Sequence, residues 1–152
     1  MKTISLTCPI STHTGYGITS FNIFKAFPSV GYDPLIFPIG SASVESEESK
    51  TLIETSAKRA KTEFKKNDPC LKIWHQFDLL QTVGRGKYFA LPFFEVDTFN
   101  KREQYHLNFP DELIVSCQWA KQVIENNNIT KPVNVVPMGV DTTVFRPMPK
   151  QD

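Results

Sequence analysis

Residues 34–38 read Pro34-Leu35-Ile36-Phe37-Pro38, a nearly all-apolar run with Gly31 before it and Gly40 after it. A short apolar run bounded by turn residues is typical of a strand covered on both faces of a sheet. In the preceding segment, apolar side chains recur at every third position, which predicts a helix that starts near Gly15 and stops at Pro28. The spacing is set by Ile18, Phe21, Phe24 and Phe27.

The alternation of strand and helix continues on both sides of this unit. Further strands are predicted at residues 4–7, 71–75, 88–94, 113–115 and 133–136. One helix is predicted where Ile53, Ala57, Ala60 and Phe64 share a face, one opens at Asp97 and runs to Asn108, and one is capped by Ser116. Leu79-Leu80 predicts only a short turn or helix. This order predicts a single α/β domain over residues 1–152 with an open, mainly parallel sheet.

Composition and charge exclude several classes of protein. The 152 residues include 17 basic and 16 acidic side chains, for a formal net charge of +1. This balance argues against a nucleic-acid-binding protein that works by bulk charge. No apolar stretch approaches the roughly 20 residues that a membrane-spanning helix needs. Because Pro9 breaks the first apolar segment too early for a signal-peptide core, a cytoplasmic location is predicted.

Cysteine and histidine spacing predicts no metal site. Three cysteines far apart in sequence form no paired spacing and are predicted to be reduced, buried thiols: Cys8, Cys70 and Cys117. The histidines, His13, His75 and His106, likewise lack the spacing of metal ligands, so no protein-held metal is expected.

Basic residues gather toward the end of the second predicted helix, and acidic residues stand at its start. A solvated helix surface whose charges suit the helix dipole is the preferred interpretation. Peripheral contact with an anionic membrane surface is the alternative. The basic residues are Lys58, Arg59, Lys61, Lys65 and Lys66.

Candidate site residues follow the predicted strands, because parallel sheets place ligand sites at the carboxyl ends of their strands. Glycines at a helix entrance let backbone N–H groups approach an anion, which marks Gly15 and Gly17 around Tyr16, although they also fit ordinary loop glycines. His75 ends the third strand, and a histidine there serves as acid, base or hydrogen-bond partner, or is purely structural. Glu95 and Asp97 follow the fourth strand, as ligand-binding carboxylates or as a strand terminus and helix cap.

A dinucleotide-binding oxidoreductase fits these glycines less well. The third glycine of its fingerprint is replaced by Ser20. The acid that binds the ribose belongs at the end of the second strand, but Asp33 lies before that strand. We therefore rank this function low.

Three segments follow one another in a fixed order: Pro92-Phe93-Phe94-Glu95, Asp111-Glu112-Leu113-Ile114-Val115-Ser116-Cys117-Gln118-Trp119 and Val135-Val136-Pro137-Met138-Gly139-Val140-Asp141-Thr142-Thr143-Val144-Phe145-Arg146-Pro147. In this order they resemble the amino-terminal half of family 4 glycosyltransferases of the GT-B fold. The resemblance implies a Rossmann-like fold with helices on both faces of the sheet. It also implies hexosyl transfer from a nucleotide-sugar, with retention and without a bound metal.

The resemblance also implies roles for individual residues. Gly15 and Gly17 correspond to a loop that approaches the donor phosphates, and Tyr16 lines the cleft. Glu95 stands where many relatives carry a histidine; a carboxylate there binds acceptor hydroxyls or stabilises a developing cation. Gly139 and Asp141 correspond to the turn that leads to a second domain.

The donor-binding domain of the resembled enzymes is expected outside this chain. Glu95 and Glu103 have the E-x7-E spacing of its acidic pair, but the glycine-rich context is missing. The implied donor is a UDP- or GDP-sugar, with no tightly bound cofactor, and the implied partners are a sugar or glycoconjugate acceptor and a donor-binding domain or chain. A non-catalytic module that binds a sugar or acceptor is the alternative.

Overall fold

A computed structural model describes residues 1–148. Helices and strands alternate along these residues, and a short 3-10 helix, Phe27–Val30, follows the first α-helix. The strands are β1 Lys2–Cys8, β2 Tyr32–Pro38, β3 Cys70–His75, β4 Tyr88–Phe93, β5 Glu112–Val115 and β6 Val133–Val135. The α-helices are α1 Gly15–Ala26, α2 Glu47–Glu63, α3 Lys101–Leu107 and α4 Gln118–Asn126.

The strands form one open sheet in the order β2-β1-β3-β4-β5-β6. Every neighbouring pair is parallel. The predicted α/β fold is confirmed, and the described sheet is parallel throughout. From β1 the chain moves outward to β2, then crosses back to β3 on the other side of β1. This reversal is a topological switch point, and in open α/β sheets the ligand crevice lies outside the carboxyl ends of the strands there.

Two apolar cores cover the two faces of the sheet. Leu71 and Ile73 of β3 belong to the core that contains Phe21 and Phe24 of α1. Their neighbour Cys70 belongs instead to the core built on α3 and α4. Because successive side chains of a strand point to opposite faces, the helices flank both faces, as a Rossmann-like fold requires.

The outer edge of β2 is closed by one side chain of α2. The Ser56 hydroxyl accepts a hydrogen bond from the Ile36 N–H (3.1 Å) and donates one to the Pro34 carbonyl (2.7 Å). Unpaired backbone groups at a sheet edge are a template for association with another chain. Ser56 and the two prolines of β2 therefore protect this edge.

Two predicted helix starts are wrong. Asp97 does not open a helix; α3 begins at Lys101, because the Asn100 side chain accepts from the N–H groups of Arg102 (2.9 Å) and Glu103 (3.0 Å). Glu103 returns the contact by accepting from the Asn100 N–H (2.9 Å), which completes a capping box. Ser116 is not the cap of α4, whose N-cap is Cys117 without a side-chain hydrogen bond.

Smaller corrections concern other predicted elements. The short turn or helix predicted at Leu79-Leu80 is not a helix: the turn lies at Gln76-Phe77, and Leu80 is a bend. Phe64 lies just beyond the end of α2. Ile18 helps to predict the helix correctly but is 42% exposed, because steps of three residues drift around a helix and place it about 120° from Phe24.

The cysteine prediction holds for two of the three residues. Cys8 and Cys70 are buried thiols, whereas Cys117 is exposed. Burial raises the pKa of the Cys8 thiol to about 12. Within the described residues, no helix combines the length and apolarity needed to cross a bilayer.

Candidate functional site

The candidate site lies where the first turn of α1 meets the carboxyl ends of β3 and β4. His75 and Phe93 are the last residues of these strands and stand side by side in register. The Tyr16 ring packs edge-on against both, with ring centroids 4.8 Å from His75 and 5.1 Å from Phe93. Two residues predicted from separate segments, Tyr16 and His75, are thus in direct contact.

Two adjoining pockets open at this edge of the sheet. The larger, about 370 Å³, is lined by Gly15, Tyr16, Thr19, Phe93, Phe94 and Glu95. The smaller, about 170 Å³, is lined by Tyr16, His75, Gln76, Phe77, Phe93, Phe94 and Glu95. Among the described lining residues of both pockets there is one carboxylate and no lysine or arginine. The structure therefore brings Gly15, Tyr16, His75 and Glu95 together in a largely aromatic site with a single negative charge.

Gly17 is a packing residue of the loop that joins β1 to α1. A Cβ atom added there would lie 2.6 Å from the Ser11 nitrogen and 2.8 Å from its Cα atom. Its N–H is directed to the side chain of Thr14, the N-cap of α1 (3.3 Å). An added Cβ at Gly15, by contrast, meets nothing within 4 Å. The absence of a side chain is thus required at Gly17 by the fold, and the approach of a phosphate to either glycine stays a prediction.

Glu95 and Asp97 occupy different surroundings although they are two residues apart. Glu95 is exposed and lines both pockets. Residues 1–148 include no ion pair with it. Asp97 lines neither pocket, and its carboxylate accepts a hydrogen bond from the hydroxyl of Thr98 (3.2 Å). The geometry therefore groups Glu95, but not Asp97, with the aromatic residues.

The segment that carries Glu95 is anchored by Asn127, which the sequence did not single out. Its side-chain amide donates to the carbonyls of Asp97 (2.9 Å) and Val123 (2.8 Å), and its oxygen accepts from the Phe99 N–H (2.8 Å). Asn127 is 7% exposed. In sequence it is one of three consecutive asparagines at a helix end, and no local pattern reveals a contact made about 30 residues away.

The loop from β3 to β4 carries Gln76 and Phe77 and is fixed from outside. The buried His106 accepts the Leu79 N–H at Nδ1 (2.9 Å), and the Tyr88 hydroxyl donates to the Leu79 carbonyl (2.8 Å). Gln76 donates to the Glu103 carboxylate (3.0 Å). This part of the site is therefore held by residues of α3 and β4.

Acidification is expected to weaken the fold through His106. Burial lowers the pKa of His106, with the charges of Arg102 and Lys72 adding to the effect. The unfolded state therefore binds a proton at this histidine more readily than the folded state does. The contribution of neutral His106 to the free energy of unfolding is complete above the usual histidine pKa of about 6.5, and it is lost as the pH falls through the lowered pKa. Urea unfolding measured from neutral pH down to about pH 5 should show this loss. His106→Gln should give a flatter pH profile over that range, and an equally steep one would contradict the assignment.

Gly139 and Asp141 lie beside the site rather than in it. A groove of about 510 Å³ separates α1 from this segment, and Thr19 lines both this groove and the larger pocket. The N–H and hydroxyl of Thr143 donate to the Asp141 carboxylate (2.9 and 2.6 Å), and these bonds hold its pKa below the usual range. Asp141 therefore organises a local turn.

No cluster of three or more histidine, cysteine, aspartate or glutamate side chains in residues 1–148 is placed to hold a metal ion. The absence of a protein-held metal stays a prediction.

The basic cluster at the end of α2 is partly neutralised by ion pairs. Arg59 is paired with Asp33 and Glu63, and Lys58 with Glu54. These pairs leave Lys61, Lys65 and Lys66 as the remaining exposed cations of that cluster.

Comparison with models of known protein families finds no match for this chain, and a search of curated proteins finds none either. The geometry of the site, together with the sequence motifs, therefore carries the functional proposal.

Proposed function

We propose that this chain is the amino-terminal, acceptor-side domain of a nucleotide-sugar-dependent glycosyltransferase that transfers a hexosyl group. One observation carries the proposal: Tyr16 in the first turn of α1 closes against His75 and Phe93, and Glu95 lines the pockets that they form. This arrangement lies at the carboxyl edge of the sheet, where ligands of open α/β folds bind.

The chemistry needs an acceptor hydroxyl held beside the donor sugar. Transfer breaks the bond between the anomeric carbon and the nucleoside diphosphate, which leaves with the electron pair. The acceptor oxygen forms the new bond as its proton passes to a base, and the Glu95 carboxylate is proposed as that base. The exposed carboxylate of Glu95 is suited to accept a hydrogen bond from that hydroxyl and to oppose positive charge that develops on the sugar ring. Retention of the anomeric configuration belongs to the proposal through the resemblance.

The donor, a UDP- or GDP-sugar, is proposed to bind mainly to a second domain, in the same protein or in a partner chain. Gly15, at the start of α1, lines the larger pocket. The N–H groups of the first helical turn and the helix dipole therefore favour a phosphate brought to Gly15. The segment that contains Gly139 and Asp141, beside α1, exposes the apolar side chains of Val140, Val144 and Phe145. An apolar surface beside a ligand site is suited to contact with such a domain. A cytoplasmic location, with peripheral membrane contact through Lys61, Lys65 and Lys66 as the alternative, completes the proposal.

The oxidoreductase alternative is weaker on this geometry. Asp33 lies near the start of β2, at the edge of the sheet opposite the site. Hydrogen bonds from Arg59 hold the pKa of Asp33 below its usual range, so this acid serves an ion pair. The four residues after β2, 39–42, contain no acid that would bind a ribose.

A transfer assay tests the proposal. The chain is to be coexpressed with candidate donor-binding domains that carry the glycine-rich E-x7-E motif, and transfer from UDP- and GDP-hexoses to glycoside acceptors is measured by mass spectrometry. We expect transfer only when both parts are present. Tight binding of NAD or FAD by the chain alone would favour the oxidoreductase. Acceptor binding without transfer from any donor would favour the non-catalytic module.

Glu95→Gln is expected to reduce kcat/KM for transfer about a hundredfold, because the amide neither takes up a proton nor opposes a developing cation. The matched control is Glu48→Gln, an exposed glutamate in the first turn of α2, which should stay within about twofold of wild type. Equal activity of the E95Q variant and wild type would remove Glu95 from the proposed mechanism.

A further inference from the structure

The smaller pocket contains an exposed aromatic ring that the sequence motifs do not include. Phe77 is 43% exposed although it is a large apolar residue. Its ring lies parallel to that of His75, with centroids 4.9 Å apart and planes 9° apart. Phe77 therefore covers the ring of His75, the last residue of β3, with one face and presents its other face as an exposed flat surface.

Neighbouring aromatic rings hold this surface in place. Trp74 and Tyr16 both contact His75 edge-on, at centroid distances of 4.7 Å and 4.8 Å. Edge-to-face contacts of this kind stabilise a defined ring orientation. Gln76, between the stacked residues, is buried and bonded to Glu103. The surface is thus built before any ligand arrives, which reduces the entropy cost of binding.

The polar groups and the charge of the smaller pocket limit which ligands can stack on Phe77. Pyranose rings have an apolar face of C–H groups and a rim of hydroxyls, which match an aromatic ring and a nearby carboxylate. Glu95 lines the same pocket as Phe77 and His75, and no lysine or arginine is among the described lining residues. A phosphorylated or otherwise anionic sugar would meet an uncompensated negative charge there, because Gly15, where the donor phosphate is proposed to approach, lines only the larger pocket.

We propose that the exposed face of Phe77, supported from behind by His75, forms a stacking subsite for the apolar face of a neutral pyranose ring, with Glu95 accepting a hydrogen bond from one of the sugar hydroxyls. The inference rests on the proposed function in that it names the acceptor: a neutral glycoside rather than a sugar phosphate. Binding to the subsite itself needs no donor.

Ligand-observed NMR on the full chain tests the subsite with methyl glucopyranoside, mannopyranoside and galactopyranoside and the matching hexose 6-phosphates. We expect at least one neutral glycoside to bind more tightly than its phosphate. Phe77→Leu keeps an apolar side chain but removes the flat ring, and should weaken binding about fivefold, whereas Phe77→Tyr should stay within about twofold of wild type. In E95Q, the difference in affinity between the neutral glycoside and the hexose 6-phosphate should become smaller, because the negative charge that opposes the phosphate is removed.

Tyr105→Leu, which removes an exposed ring of α3 that lines neither pocket, is the control and should leave binding unchanged. Circular dichroism establishes that each variant is folded. The inference is overturned if no neutral glycoside binds, if F77L binds as well as wild type, or if a sugar phosphate binds more tightly. Transfer to an anionic acceptor would overturn the inference alone, whereas glycoside binding through Phe77 without transfer from any donor would leave it standing and remove the proposed function.

Discussion

Replacing Gly17 with alanine is expected to lower the free energy of unfolding by about 2–3 kcal/mol. The new methyl group would lie 2.6 Å from the Ser11 nitrogen, so backbone rather than a flexible side chain has to move. Alanine gains about 1 kcal/mol of helix propensity over glycine, which offsets only part of this cost. Thermal unfolding should shift downward by roughly 4–12 °C for a chain of this size.

Gly15→Ala is the matched control for this change, because both glycines lie in the first turn of α1 and an added Cβ at Gly15 meets nothing within 4 Å. Its stability should stay within about 0.5 kcal/mol of wild type. If the G17A and G15A variants unfold at the same temperature, Ser11 does not pack against Gly17 as closely as described. Displacement of the loop should also weaken glycoside binding in G17A, since Tyr16 adjoins the altered residue.

Asn127→Ala is expected to cost about 3–4 kcal/mol, the largest effect among the polar residues around the site. The change removes three hydrogen bonds and leaves the Phe99 N–H without its acceptor. Urea unfolding measures the stability, and amide hydrogen exchange at Phe99 should become faster because its donor loses its partner.

Two further variants separate the hydrogen bonds of Asn127 from its position in the asparagine run. Asn126→Ala changes an exposed neighbour and should be within about 0.5 kcal/mol of wild type. Asn127→Asp keeps an acceptor for Phe99 but turns an oxygen toward two carbonyls, so it should also destabilise the fold. An N127A variant as stable as N126A would show that the segment bearing Glu95 is held by other contacts.

Most of the fold follows from periodicity in the sequence. Buried strands such as β2 are short apolar runs between turn residues, and this signal located each described strand to within a few residues. Helix starts were harder, because several residues in a row have side chains that cap helices. Asp97 and Asn100 both qualify as caps, and only the glutamate three residues after Asn100 distinguishes the true start.

Some residues of the site are predictable from local sequence patterns, whereas others act through contacts that are distant in sequence. That Glu95 and His75 lie together could be predicted, because both follow apolar runs and strand ends meet at one edge of a parallel sheet. Asn127 and His106 act on backbone groups that are distant in sequence, so no spacing rule detects them. Phe77 was missed because an aromatic residue after a strand is usually interpreted as core, and only its exposed fraction marks it as a surface residue.

The crossover from β3 to β4 has a consequence for how such a domain diverges in evolution. In residues 76–87 the described chain forms no helix, and His106 and Tyr88 hold this connection from outside it. Phe77 is exposed and belongs to neither core, so substitutions there leave both cores and the strand order in place, whereas Gln76 is buried and bonded to Glu103. Duplicated copies of the gene are therefore expected to diverge at Phe77, while they keep the same scaffold and the carboxylate of Glu95.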